Sequence, residues 1–304
     1  MPYVALVALG AWTWAALVLL STTGLEVLFF QSFTFQSSTT RPLLPAFVGQ
    51  TPVTMTTEQP TILFVPGAWH YPAGFDAVRE QLAALNYPTE AVAHPSIGGE
   101  PPNKDMTDDS LNLRNAIEKL ADAGKKVVVV THSYGGVVGS CAVEGLGFAQ
   151  RKSAGKTGGV IQLVFLSAFA LPKGASLLDA LGGNPLPWMN FQGAYCHAEN
   201  PAEIFYHDLT AADQQKWIAQ LSHTASAVFS GKSTYEPWHH MPCMYIFCEE
   251  DKAIPLPVQQ GIAGSMGDIT TFTIAASHSP FLSTPAKLVE GIELAAKVGL
   301  EKSS

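Results

Sequence analysis

The stretch Lys126–Gly136, KVVVVTHSYGG, constrains this chain more than any other. An unbroken β-branched run without polar alternation reads as a strand covered on both faces, the kind found in parallel sheets. It runs into Ser133, Tyr134 and two glycines, and the helical pattern VVGSCAVEGL follows. Strand, tight turn and helix place a serine hydroxyl at a helix N-terminus, where backbone N–H groups favour a developing anion. Ser133 is therefore the candidate nucleophile. His132, inside the turn, reads as structural. The competing reading is an ordinary strand-to-helix turn that Ser133 caps.

Further short apolar runs repeat the pattern at Thr61–Val65, Ala91–Ala93, Val160–Leu166, Met244–Phe247 and Ile269–Ile274. Helical periodicity separates them: Phe75, Val78, Leu82 and Leu85 form one apolar stripe, and Leu111, Ile117 and Leu120 another. Thr107, Asp108 and Asp109 open the second helix, because carboxylates suit the positive end. The last helix is predicted from about Pro285 to Val298. The fold class is α/β, a mostly parallel sheet with helices on both faces. Residues 171–240 hold no convincing strand and many aromatics, and read as a helical cap inserted between two strands.

A serine hydroxyl needs a base to take its proton. His278 lies in SHSPF directly after the last strand, and Asp251 in EEDKAIP after the preceding one, both where strand C-termini meet ligands. Glu250 is the alternative acid. Two backbone donors are needed for a developing oxyanion. Tyr134 N–H follows the nucleophile, and Ala68 N–H lies in the PGAWH turn after the first strand. Trp69, Trp188, Phe205, Tyr206 and Trp238 are candidate pocket residues, which suggests an apolar small-molecule substrate.

PGAWH (66–70), THSYGG (131–136), EDKAIP (250–255) and SHSPF (277–281) together resemble the α/β-hydrolase superfamily over residues 60–300. The likeness is greatest to the branch of plant methyl-ester esterases and hydroxynitrile lyases. It implies a Ser133–His278–Asp251 triad, an oxyanion hole at Ala68 and Tyr134, and hydrolysis of a carboxylic ester, lactone or thioester without cofactor or metal. A lyase on the same fold, or a ligand-binding protein with little turnover, are the alternatives. Two positions depart from the family pattern: Pro66 stands where it has His, and Thr131 where it has Gly.

The net charge of −8, without any basic cluster, argues against nucleic acid as a partner. Cys141, Cys196, Cys243 and Cys248 read as free thiols, and no Cys/His grouping has zinc-site spacing. Val4–Leu20 carries no charge and just reaches the length of a membrane-spanning helix. Residues 1–24 are therefore expected to be a membrane anchor or a cleaved signal. The anchor is favoured because no Lys or Arg precedes the apolar run and no small-x-small site follows it. Trp12 and Trp14 lie mid-segment, against the usual aromatic belt. The corresponding location is the secretory pathway, anchored at the endoplasmic reticulum or secreted. Residues 25–59, rich in Ser, Thr, Gln and Pro, read as a linker.

Overall fold

The structure, a computed structural model, describes residues 5–7, 14–21, 24–31 and 59–304 of the 304. Residues Met1–Thr56 and Thr57–Ser304 are two compact units.

In the larger unit six strands form one parallel sheet: β1 (Thr61–Val65), β2 (Thr89–Ala91), β3 (Lys126–Ser133), β4 (Gly159–Ala168), β5 (Cys243–Cys248) and β6 (Thr270–Ile274). Their order across the sheet is β6-β5-β4-β3-β1-β2. The first three helices are α1 (Asp76–Ala84), α2 (Met106–Asp122) and α3 (Gly135–Ala142), and α4 (Leu256–Ser265) and α5 (Pro285–Lys302) follow the cap. The continuous apolar runs have the predicted consequence: all of β1 and β4 is buried. Alternate residues feed two separate cores, Val127 and Val129 one, Val128 and Val130 the other. Cys243 and Cys248, an odd number of positions apart, likewise fall into different cores, and both are free thiols.

Chain order and strand order differ at the middle of the sheet. β1 and β4 flank β3 on its two sides, so the loops after β1, β3 and β4 meet above one point. The loops after β5 and β6 join them from the β4 side.

Between β4 and β5 the chain leaves the sheet. This insertion holds short helices, among them Ala211–Ile218. It also holds a three-stranded antiparallel sheet of Met189–Gln192, Tyr195–Ala198 and Thr224–Ala225. The cap is thus mixed and not purely helical. Its strands are only four and two residues long and carry Asn, Gln and His, too short and polar to show a period of two.

The first unit corrects the reading of the N-terminus. Trp14–Ser21 pairs antiparallel with Ala5–Val7 on one side and with Gly24–Gln31 on the other, Ser21 opposite Gly24. Among the described residues no helix is long and apolar enough to cross a membrane. The expected transmembrane helix, membrane association through residues 4–20 and a membrane-anchored location therefore lose their support. A continuous apolar run has no period that separates strand from helix, and the second run at Val27–Phe30 supplies a partner strand. Val4 and residues 8–13 of the apolar segment lie outside the described residues. The strand Gly24–Gln31 takes up residues 25–31 of the expected linker, and residues 32–58 lie outside the described residues.

Candidate active site

Ser133 closes β3 with φ of 53°, left-handed geometry that is unusual for a residue with a side chain. The sharp turn brings α3 back against β1. A Cβ on Gly135 would collide with the Pro66 carbonyl oxygen, so glycine is required there. A Cβ on Gly67 would lie 2.8 Å from the Ser133 Cβ, which shows how closely the turn after β1 crosses the serine. The Ser133 side chain makes no hydrogen bond among the described residues and lines a small cavity.

Asp251 and His278 are joined: the His278 imidazole, through Nδ1, is 2.6 Å from Asp251 Oδ2, and both side chains are buried. Asp251 Oδ1 accepts the N–H groups of Ala253 and Ile254 at 2.7 and 2.8 Å. The turn Lys252–Pro255 thus fixes the carboxylate, and Glu250, exposed, does not share this role. Ser167 adds a short hydrogen bond from its Oγ to Asp251 Oδ2. It is the penultimate residue of β4, with a φ of 36°. Ser167 was not among the candidate residues; a polar residue near the end of an apolar strand was the available signal.

His278 is also tied to the residue before Ser133. His132 donates Nε2–H to the His278 carbonyl at 2.8 Å, and the two rings lie 4.5 Å apart. His132 and His70 are both held towards the neutral form, mainly by burial and also by the proximity of His278. The His70 pKa is lowered to about 4. His70 Nδ1 is 2.7 Å from the Ala68 carbonyl and therefore donates, so Nε2 accepts the Tyr206 hydroxyl at 2.8 Å.

The Ala68 and Tyr134 N–H groups have no acceptor among the described residues, although the two residues are only 2% and 1% exposed. Buried backbone donors are normally paired. Two free donors beside Ser133 suit an oxygen that arrives with a ligand. Trp69, with φ of 65°, anchors the turn: its N–H donates to Thr224 Oγ1 and its indole N–H to the Cys196 carbonyl.

The cavity wall is apolar. Ala68, Trp69, Phe169, Ala253 and Ile254 come from the sheet loops; Leu177, Leu186, Trp188, Met189 and Phe229 come from the cap. Trp69 and Trp188 meet edge to face at 5.4 Å. Phe205 stands one layer back, packed on Trp69 and on the His278 ring. Tyr206 faces His70 in a separate depression, and Trp238 is outside the cavity lining. The aliphatic lining residues were missed because nothing distinguishes a pocket leucine from a core leucine in sequence.

The alpha/beta hydrolase family matches residues 62–291. The chain belongs to the alpha/beta hydrolase family. The alpha/beta hydrolase nvfD of Aspergillus novofumigatus is 30% identical over 249 residues, covering 80% of this chain and 99% of that protein. A pyrethroid hydrolase from Sphingobium faniae superposes with a TM-score of 0.62 at 23% identity, over 80% of this chain and 99% of its own. A methylesterase from Arabidopsis gives 0.61 at 17%, over 78% and 98%. The family match and the 30% identical relative support a hydrolase, and the two solved structures share its fold.

Proposed function

We propose that this hydrolase cleaves a carboxylic ester, lactone or thioester of an apolar small molecule through a Ser133–His278–Asp251 triad. The observation that carries the reading is the buried His278–Asp251 hydrogen bond at the strand ends beside a left-handed Ser133 and two unpaired N–H groups. Asp251 holds the imidazole with Nδ1 protonated, which leaves Nε2 as the base. Ser133 Oγ attacks the substrate carbonyl and its proton passes to His278 Nε2. The carbonyl oxygen becomes an oxyanion held by Ala68 and Tyr134 N–H. Collapse expels the alcohol or thiol, which leaves with the proton from His278. Water then gives a proton to His278, its hydroxide attacks the acyl-enzyme, and the acid departs as Ser133 regains its hydrogen.

The apolar lining supports a neutral substrate: no charged side chain lines the cavity that could clamp an anion. Labelling with a fluorophosphonate probe tests the nucleophile. Wild type labels and Ser133→Ala does not; equal labelling of the two, or a folded wild type that never labels, would overturn the triad. A series of p-nitrophenyl esters then separates hydrolysis from lyase or receptor behaviour. Turnover is expected for short and medium acyl chains, given the limited cavity.

A further inference from the structure

Asp109 is a buried carboxylate that the proposed reaction does not use. It lies in the first turn of α2, on the face that carries Leu113 and Ile117, and is 0% exposed. Its Oδ2 accepts the Tyr134 hydroxyl at 2.8 Å and Ser96 Oγ at 2.6 Å, and its Oδ1 accepts Ser96 N–H at 3.0 Å. A carboxylate in an apolar layer is tolerated only with such donors. Packing alone would favour a leucine at this position.

His94 extends the group. Its neutral ring packs against Asp109, Nδ1 lying 3.9 Å from Oδ2 without a hydrogen bond between them, and its Nε2 donates to the Pro66 carbonyl at 2.9 Å. The His94 and Tyr134 rings meet edge to face at 5.4 Å. Pro66 opens the turn that holds Ala68, and Tyr134 is the residue after Ser133. The cluster therefore touches both segments that carry the unpaired N–H groups. It grips one through a backbone carbonyl and the other through a side chain. Donors to a developing oxyanion must be placed within a few tenths of an ångström before the reaction.

We propose that Asp109, with His94 and Ser96, is a positioning group that aligns the Ala68 and Tyr134 N–H donors. Asp109 acts through the Tyr134 hydroxyl, and His94, packed beside it, through the Pro66 carbonyl, neither touching substrate. This assignment rests on the serine-hydrolase reading of the preceding section.

The test compares Asp109→Asn and Tyr134→Phe with wild type. Both variants keep side-chain volume and the backbone N–H groups. The readouts are steady-state hydrolysis of p-nitrophenyl butyrate and the rate of fluorophosphonate labelling, each per folded molecule. A small misplacement of donors costs about 10-fold to 100-fold. That loss is expected in kcat with KM little changed, and in the labelling rate to the same extent. The Asp109→Asn/Tyr134→Phe double variant should lose little more than either single variant, because both break one link. A merely structural role would lower Tm and leave kcat of the folded fraction intact; that result, or a loss confined to KM, would overturn the proposal. Should Asp109→Asn not fold, Tyr134→Phe alone decides by the same kcat and labelling criteria. Wild type inert to both probe and ester would instead remove the serine-hydrolase reading itself, and this inference with it.

Discussion

Thr131 is fully buried in β3 and donates its hydroxyl to the Val164 carbonyl on the neighbouring strand at 2.8 Å. The family motif has glycine there, and the extra side chain must be housed. The room comes from Gly139 on α3, where an added Cβ would come within 2.5 Å of the Thr131 methyl. The two positions exchange their sizes across one contact. Gly139→Ala should therefore destabilise by about 1–3 kcal/mol through overpacking against a stiff β-branched side chain. Thr131→Ala should recover much of that loss in the double variant. Its own cost is the hydroxyl hydrogen bond, about 1 kcal/mol. Urea unfolding of the two single variants and the double variant measures the coupling; strictly additive costs would show that the two side chains do not share this space.

At the scale of the element, α2 shows where a sequence reads clearly and where it misleads. Its start is announced by local chemistry: Asp105 caps Thr107 and Asp108, and Asp108 caps Asp105 in return. Its buried face is another matter. Of the expected stripe Ile117 and Leu120 face inward, but Leu111 is 56% exposed, and Asp109 and Leu113 complete the buried face. A polar Asp109 disguises the true stripe, because periodicity counts it as solvent-facing. Leu113→Ala should cost about 2–5 kcal/mol in thermal or urea unfolding, whereas Leu111→Ala should stay within about 0.5 kcal/mol. A reversed order would show that the helix is rotated from the face described. The strands were legible because each is a short run of Val, Ile, Leu or Phe flanked by a turn. Ser133, Asp251 and His278 stood out as candidates because each follows such a run at its C-terminal end. Ser167, Asp109 and the cap leucines did not. Their importance lies in contacts between segments distant in the chain, and no local pattern records those. The same limit misassigned the apolar N-terminal run, whose strand character depends on its pairing partners.

Across the whole molecule, the site is supported by imidazoles that must stay uncharged. His70, His94 and His132 are buried at 8%, 3% and 0% exposure, and burial lowers the pKa of each. In the unfolded chain each titrates near 6.5. Between that pH and the lower folded value the unfolded state binds more protons than the folded one. Stability is therefore fully present above about pH 6.5 and falls as the solution is acidified. For His70, whose folded value is about 4, the loss amounts to about 3 kcal/mol by the time pH reaches that value. His94 and His132 add to it with the same sign. In the proposed reaction the slope has a mechanistic counterpart, because a charge on His70 or His132 would oppose an imidazolium at His278. Urea unfolding at pH 7.5, 6 and 5 should show a falling midpoint, and His70→Asn should flatten the slope while lowering stability at pH 7.5. An unchanged slope in that variant would mean that other groups govern acid unfolding. The neutral histidines would then matter to the electrostatics around Ser133 and not to the stability of the fold.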